Sequence, residues 1–425
     1  MQSAEEVVGL RGPSKAEQTA IESRYLGSIA ADDTVAVDLA RRVLLGGGTA
    51  ADAAAEIALT LTVTEPGRAG LAGGGVCLVK PAGNGAVEEL DFLPQSAEGA
   101  IPVPGLVRGL AALQQRYGAL RWQQLVAPVE AVATTGITVT PTLLADLQAA
   151  GLGTGGPGGK PLAVGDTLPQ RAVAAALAEL RLGGAAEFYT GAQGSALVAA
   201  GVPAKALANY APVWRSPASL SAGSGHLFYP QGTAGAAVQA AWSASQGNSD
   251  SAARFAAARA AAFPGGGATI DRPSGSIGFL ATDAAGRAVG CAIGMGRPFG
   301  TGQTIEPLGI FAAVPFSGAA AASLAPILGV NASGDQLTAV VVGAGSYAAP
   351  ADAAAVAAAV LQGNHAVSEA VSEPRVPAEA VGTLVVDRVE ALSCPGGLPD
   401  HPGSCSIQHD PRGGGFSMHV DRVVH

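Results

Sequence analysis

The dipeptide Gly275-Ser276 lies where a polar, Gly/Pro-rich approach, Gly265-Gly-Gly-Ala-Thr-Ile-Asp-Arg-Pro-Ser-Gly-Ser276, meets an apolar run that begins at Ile277. A small hydroxyl residue that opens a strand directly behind an unencumbered glycine suits a chain that cuts its own backbone. The freed residue would then serve as nucleophile. An ordinary loop entering an ordinary hairpin has the same composition, and this stretch alone fits both readings. The element that must position Ser276 is legible. Residues 277–282 read as a strand, Asp283-Ala-Ala-Gly286 as a tight turn, and residues 287–293 as the returning strand.

Composition limits what such a nucleophile could act on. With 48% apolar, 4% aromatic and 13% charged residues over 425 positions, 60 of them glycine, the chain is long enough to bury a large core of small, closely packing side chains. The net charge of −9 and the lack of a Lys/Arg cluster exclude nucleic acid as a partner. Every apolar run of membrane-spanning length, about 18 residues, is broken by a charge, Gly or Pro, so no membrane span is expected. Met1-Gln-Ser-Ala-Glu-Glu lacks the features of a signal peptide, which leaves open whether one was removed. Cys77 and Cys291 lie in strand-like apolar runs and read as core residues. Cys394 and Cys405 flank a Pro/Gly-rich loop and are either a disulfide or two thiols. A bond there would imply an oxidising compartment, periplasmic or extracellular. His401 and His409 lack tight ligand spacing for zinc, and no metal or cofactor is implied. A surface poor in charge and rich in alanine points to a protein partner or a homo-oligomer.

Helical patterns come early. Residues 33–45 carry apolar residues at helical spacing, and Thr49-Ala-Ala-Asp52 is an N-cap signature for a nearly all-apolar helix that Glu65-Pro66 stops. The glycine loop Gly67-Arg-Ala-Gly-Leu-Ala-Gly-Gly-Gly75 follows a helix and precedes a strand, the reverse of a phosphate cradle, so its backbone must approach another strand or a small ligand. Residues 104–200 read as mostly helical, and residues 250–263 form a helix ahead of the junction. Strands are expected at residues 337–342, 383–387 and 416–420, with helices at 352–361 and 366–373. Helices lie before and between strands without regular alternation, the pattern of two sheets sandwiched by helices.

Several segments in order resemble the gamma-glutamyltranspeptidase family of N-terminal-nucleophile hydrolases. They are Gly46-Gly-Gly-Thr-Ala-Ala-Asp-Ala-Ala54, Glu65-Pro-Gly-Arg-Ala-Gly-Leu-Ala-Gly-Gly-Gly75, Leu90-Asp-Phe92, Val103-Pro-Gly-Leu-Val-Arg-Gly-Leu110 and Trp122-Gln-Gln-Leu-Val-Ala-Pro128. Leu207-Ala-Asn-Tyr-Ala-Pro-Val-Trp-Arg215, Thr282-Asp-Ala-Ala-Gly-Arg-Ala-Val289, Glu373-Pro-Arg375 and Asp410-Pro-Arg-Gly-Gly414 continue the series. The resemblance spans roughly residues 30–420 and implies a four-layer αββα sandwich. A peripheral segment 1–25 would precede a large-subunit-like half, 26–275, and a small-subunit-like half, 276–425. It also implies cleavage between Gly275 and Ser276, with the freed amine acting as base for the Ser276 hydroxyl. Gly345 and Ser346 would supply oxyanion N–H groups, and Arg68 and Arg297 are spare cations near the expected pocket.

The departures are concentrated at the expected pocket. Ile277 and Gly278 stand where the family has Thr and His, and Leu93 where it has a carboxylate-binding Arg. Gly294-Met-Gly296 replaces a Thr-x-Asn, and residues 312–318 lack the amine-binding Asp. Burying either charge of a glutamyl zwitterion without a partner costs several kcal/mol in order of magnitude, so gamma-glutamyl transfer is not expected. Two readings remain. One is a non-catalytic structural or interaction subunit that stays uncut. The other is an active N-terminal-serine amidohydrolase with a small-molecule substrate other than a gamma-glutamyl compound.

Overall fold

A computed structural model of the chain describes residues 24–96, 101–155, 160–265, 271–363, 365–375 and 387–422. The N-terminal segment 1–25, residues 266–270 of the approach to Ser276, and residues 383–386 of the expected strand therefore lie wholly or almost wholly outside the described residues.

Thirteen strands among the described residues form two large antiparallel sheets. The first sheet contains β1 (Tyr25–Ala31), β2 (Gly74–Lys80), β3 (Glu88–Asp91), β4 (Val213–Arg215), β7 (Ser276–Asp283), β8 (Ala288–Gly294) and β13 (Phe416–Asp421), in the order β13-β1-β7-β8-β2-β3-β4. The second contains β5 (Ala218–Ala222), β6 (Gly225–Tyr229), β9 (Ile327–Val330), β10 (Leu337–Ala344), β11 (Arg388–Leu398) and β12 (Ser406–Gln408), in the order β12-β11-β10-β9-β6-β5. Each sheet contains strands from both sides of residue 276.

Three separate apolar cores define four layers. Ile277, Phe279 and Ala281 of β7 pack with Ile57 and Leu61 of the helix α2 (Ala50–Thr64), which follows α1 (Thr34–Leu45). Leu280 of β7 points the other way and joins Val340 and Val342 of β10 between the sheets. Val341, one residue out of phase, faces the outer helices Gly232–Ser245 and Ala349–Leu361. This period-two division of side chains produces the αββα sandwich expected from the sequence. The sheets approach closely where side chains are absent. A Cβ on Gly278 would lie 2.8 Å from Val342 Cγ1, and one on Gly290 would lie 2.7 Å from Val340 Cγ1.

Local signals account for the element ends. Thr49 and Asp52 form the capping box of α2. Asp283 closes the β7–β8 turn through Gly286 N–H and Ala285 N–H, and its Oδ2 accepts from Ala50 N–H at 2.9 Å, which docks α2 on the hairpin. In the glycine loop the close neighbour is protein backbone: a Cβ on Gly74 would come within 2.3 Å of the Phe92 carbonyl oxygen. The cysteines settle one open reading and change another. Cys394 is bonded to Cys405, and the two core cysteines, Cys77 and Cys291, are bonded as well. They face one another across β2 and β8, a pairing set by strand register. Within α2, Glu56 is completely buried and neither carboxyl oxygen has a partner, so desolvation holds its pKa well above the ordinary value.

Candidate functional site

Ser276 begins β7 on the face that looks toward the second sheet, in phase with Gly278 and Leu280. It is 2% exposed. Gly345 lies just past the end of β10 and donates its N–H to Ser276 Oγ at 3.2 Å. Ser274 Oγ is 2.6 Å from Ser276 Oγ and 3.1 Å from the Gly345 carbonyl oxygen. The Gly275 carbonyl oxygen accepts from Met295 N–H at 2.8 Å. Gly275 has φ +57°, and a Cβ there would sit 2.2 Å from the Arg297 backbone, so only glycine fits ahead of the serine.

The Gly345 turn is held from outside. Asp387 accepts from Ser346 N–H at 2.5 Å and from Ser346 Oγ at 2.8 Å, while Arg259 bridges Asp387 and Asp352. Burial, reinforced by Asp352, pushes the Asp387 carboxyl up to about 7, opposed by Arg259 and the Ser346 bonds. This corrects the expectation for Ser346. Its N–H is taken by a buried carboxylate and is not offered to an oxyanion, whereas the Gly345 N–H is aimed at the serine oxygen.

A second group of polar residues closes the other wall. Asp32, Arg68, Arg388 and Glu390 share with Ser276 a void of about 10 Å³. They arrive from three directions. Asp32 follows β1, Arg68 comes from the glycine loop, and Arg388 and Glu390 lie on the inter-sheet face of β11, in phase with Leu392. Asp32 Oδ2 lies 3.3 Å from Arg68 and 2.9 Å from Arg388, and Asp32 Oδ1 accepts from Gly414 N–H. Arg68 also donates to Asp146 at 2.8 Å. Arg68 therefore lines the cleft with its charge already paired. Arg297 does not line it: the side chain is exposed and donates to the Gly300 carbonyl at 2.5 Å. That substrate-binding expectation is corrected, because solvent rather than the cleft surrounds its guanidinium. Leu93, where the resemblance implies an arginine, packs into the inter-sheet core.

Glu390, Asp32, Ser274, Met295 and Asp387 were not singled out from the sequence, and His409 was considered there only as a zinc ligand. Glu390 Oε1 is 2.8 Å from His409 Nδ1, and His409 Nε2 accepts from Gly415 N–H at 3.1 Å, which leaves Nδ1 to donate. Glu390 Oε2 is buried without a partner. Burial pushes the Glu390 carboxyl up to about 7. His409 opposes the shift and Asp32 and Asp410 add to it. The late motifs fasten this corner, with Arg375 2.6 Å from Asp410, whose other oxygen meets Arg412 at 2.9 Å. Alternation held a signal for Glu390: an acid in the apolar run Val389-Glu-Ala-Leu392 must face a neighbour inside the molecule.

Comparison with known proteins bears on the family and the fold. The family model described as gamma-glutamyltranspeptidase matches residues 36–100 and 88–243. Human glutathione hydrolase 7 is 33% identical over 190 residues, 39% of this chain and 28% of that protein. The capsule biosynthesis protein CapD proenzyme of Bacillus anthracis is 30% identical over 174 residues, 38% of this chain and 33% of that protein. These matches span about a third or less of either relative's length. A cephalosporin acylase from Bacillus halodurans superposes with a TM-score of 0.75 over 93% of this chain and 96% of its own, at 18% identity, a likeness of fold.

Proposed function

Because the chain belongs to the gamma-glutamyltranspeptidase family, we propose that it is a self-cleaving hydrolase that cuts between Gly275 and Ser276 and then uses Ser276 on an amide other than a gamma-glutamyl compound. The observation that carries this reading is the seat of Ser276 Oγ. It is buried at a strand start, meets the Gly345 N–H at 3.2 Å and the Ser274 hydroxyl at 2.6 Å, and follows a carbonyl held by Met295 N–H. After the cut the Ser276 amine would take the hydroxyl proton, and Gly345 N–H would face the developing oxyanion. A substrate of low charge fits the surroundings, since Arg68 and Arg388 are both paired with Asp32 and Leu93 offers no donor. Two disulfides suit a periplasmic or extracellular setting.

One observation favours the second reading, an uncut non-catalytic subunit that binds a partner. The void at Ser276, about 10 Å³, admits roughly one water and no substrate, and the uncut approach is tied down beside it, with Pro273 bridged to Ser346 and Ser274 N–H bonded to the Gly345 carbonyl. Intact mass of the reduced, denatured protein separates the readings. Two fragments divided at Gly275-Ser276, absent in Ser276→Ala, are expected. A single chain that stays whole on prolonged incubation defeats the self-cleaving reading. With cut protein, neutral acyl anilides are expected to turn over faster than a gamma-glutamyl anilide.

A further inference from the structure

The first cut sets a problem that the freed amine cannot solve, because that amine does not exist until the peptide bond is broken. Some other group must take the Ser276 proton. Ser274 is a hydroxyl with no basicity of its own, bonded to Ser276 and the Gly345 carbonyl. Asp387 is committed to Ser346 and Arg259. Asp32 is paired with both Arg68 and Arg388 and accepts from Gly414. Glu390 remains. Its Oε1 is oriented by His409, and its Oε2 has no partner although the residue is 1% exposed and lines the same void as Ser276.

Resting on the self-cleaving reading, we propose that Glu390, acting through one water in that void, is the proton acceptor for the attack of Ser276 on Gly275. A buried carboxylate oxygen with no protein partner calls for such a water, and a void of about 10 Å³ is near the size that one requires. The water would also meet Ser276 Oγ and the Arg68 or Arg388 guanidinium, giving it the partners that an ordered water needs. The Ser276 Oγ proton passes to the water as the water's own proton passes to Glu390. Oγ bonds to the Gly275 carbonyl carbon, and the C–N bond to Ser276 breaks. The proton returns through the water to the departing nitrogen, leaving an ester between Gly275 and Ser276 Oγ. Hydrolysis of that ester by one water gives the Gly275 carboxylate and restores the serine hydroxyl. No oxidant or metal is needed. Burial pushes the Glu390 carboxyl up to about 7; of the charged groups facing it, His409 opposes the shift and Asp32 and Asp410 add to it, while Arg68 and Arg388 line the same void.

The test follows the cut in the full-length chain by reduced intact mass across roughly pH 5 to 9. The wild-type rate is expected to rise through about pH 7, where Glu390 loses its proton, and then level. Glu390→Gln keeps the shape and is expected to cut about 100-fold more slowly with no inflection, and Glu390→Asp to recover part of the rate. Glu390→Gln that cuts at the wild-type rate with the same inflection overturns the role of Glu390 and leaves self-cleavage standing. Wild-type protein that stays whole at every pH overturns both. Should Glu390→Gln not fold by circular dichroism, the wild-type profile decides, since a rate without an inflection near neutrality removes Glu390 as the acceptor.

Discussion

Glu390 and Glu56 are two glutamates hidden by the same fold, and desolvation raises the pKa of both. Each leaves at least one carboxyl oxygen unpartnered. Their neighbours differ. Glu390 sits between sheets at the end where Ser276, His409, Asp32 and two arginines converge. Glu56 sits in the middle of a helix whose other buried residues are Ala, Leu, Ile, Val, Thr and the capping Asp52, and no ionic group moves its pKa. Burial alone makes an acid hard to ionise. Only where dipoles, charges and a nearby hydroxyl accompany the burial can the resulting proton equilibrium act on a reaction.

The most severe test of that contrast is Ser276→Ala. It is expected to abolish the cut while leaving the thermal midpoint close to wild type, because a buried methyl replaces a small hydroxyl. Fragments from the alanine variant would mean that the Glu390 end of the molecule carries no chemistry at Ser276. Removing a cation from the same end comes next. Arg68→Ala leaves Asp32 and Asp146 short of a partner in a buried site and is expected to cost about 3–5 kcal/mol in urea unfolding.

Glu56→Met sharpens the other half of the comparison. The folded pKa of Glu56 lies above the unfolded value of about 4.5, so the native state holds a proton that the unfolded state releases above that pH. Its contribution is fully present below about pH 4.5 and is lost as pH rises toward the folded pKa. The Met variant is therefore expected to be more stable than wild type by roughly 1–3 kcal/mol at pH 8, with the gain shrinking toward pH 4.5. A gain independent of pH would show that Glu56 is not titrating on unfolding. Arg297→Ala, exposed and away from both acids, is expected to shift stability by less than about 0.5 kcal/mol and to leave the cut unchanged.

The fold was largely legible because its signals are local. Alternation gave the β7–β8 hairpin, the Thr49–Asp52 box gave the start of α2, and the ordered motifs gave the layers. Ser276 was legible for the same reason: it stands where a loop becomes a strand. The wall opposite it was not. Arg68 alone was named from the sequence; Asp32 is far from Arg388 and Glu390 in the chain, and only the tilt and pairing of strands bring them to one end of the sandwich. The same holds for the oxyanion candidates. Gly345 and Ser346 are neighbours in sequence, yet the carboxylate of Asp387, just ahead of the adjoining strand β11, decides which of the two N–H groups is free to face Ser276.

The bond between Cys77 and Cys291 joins one strand from before the Gly275-Ser276 junction to one from after it. A severed molecule would thus remain a single covalent body with an extra amino terminus inside it, heavier by one water and unchanged in apparent size until thiol is added. Sizing of oxidised samples would miss the event, and the two pieces could not drift apart or exchange with those of another copy.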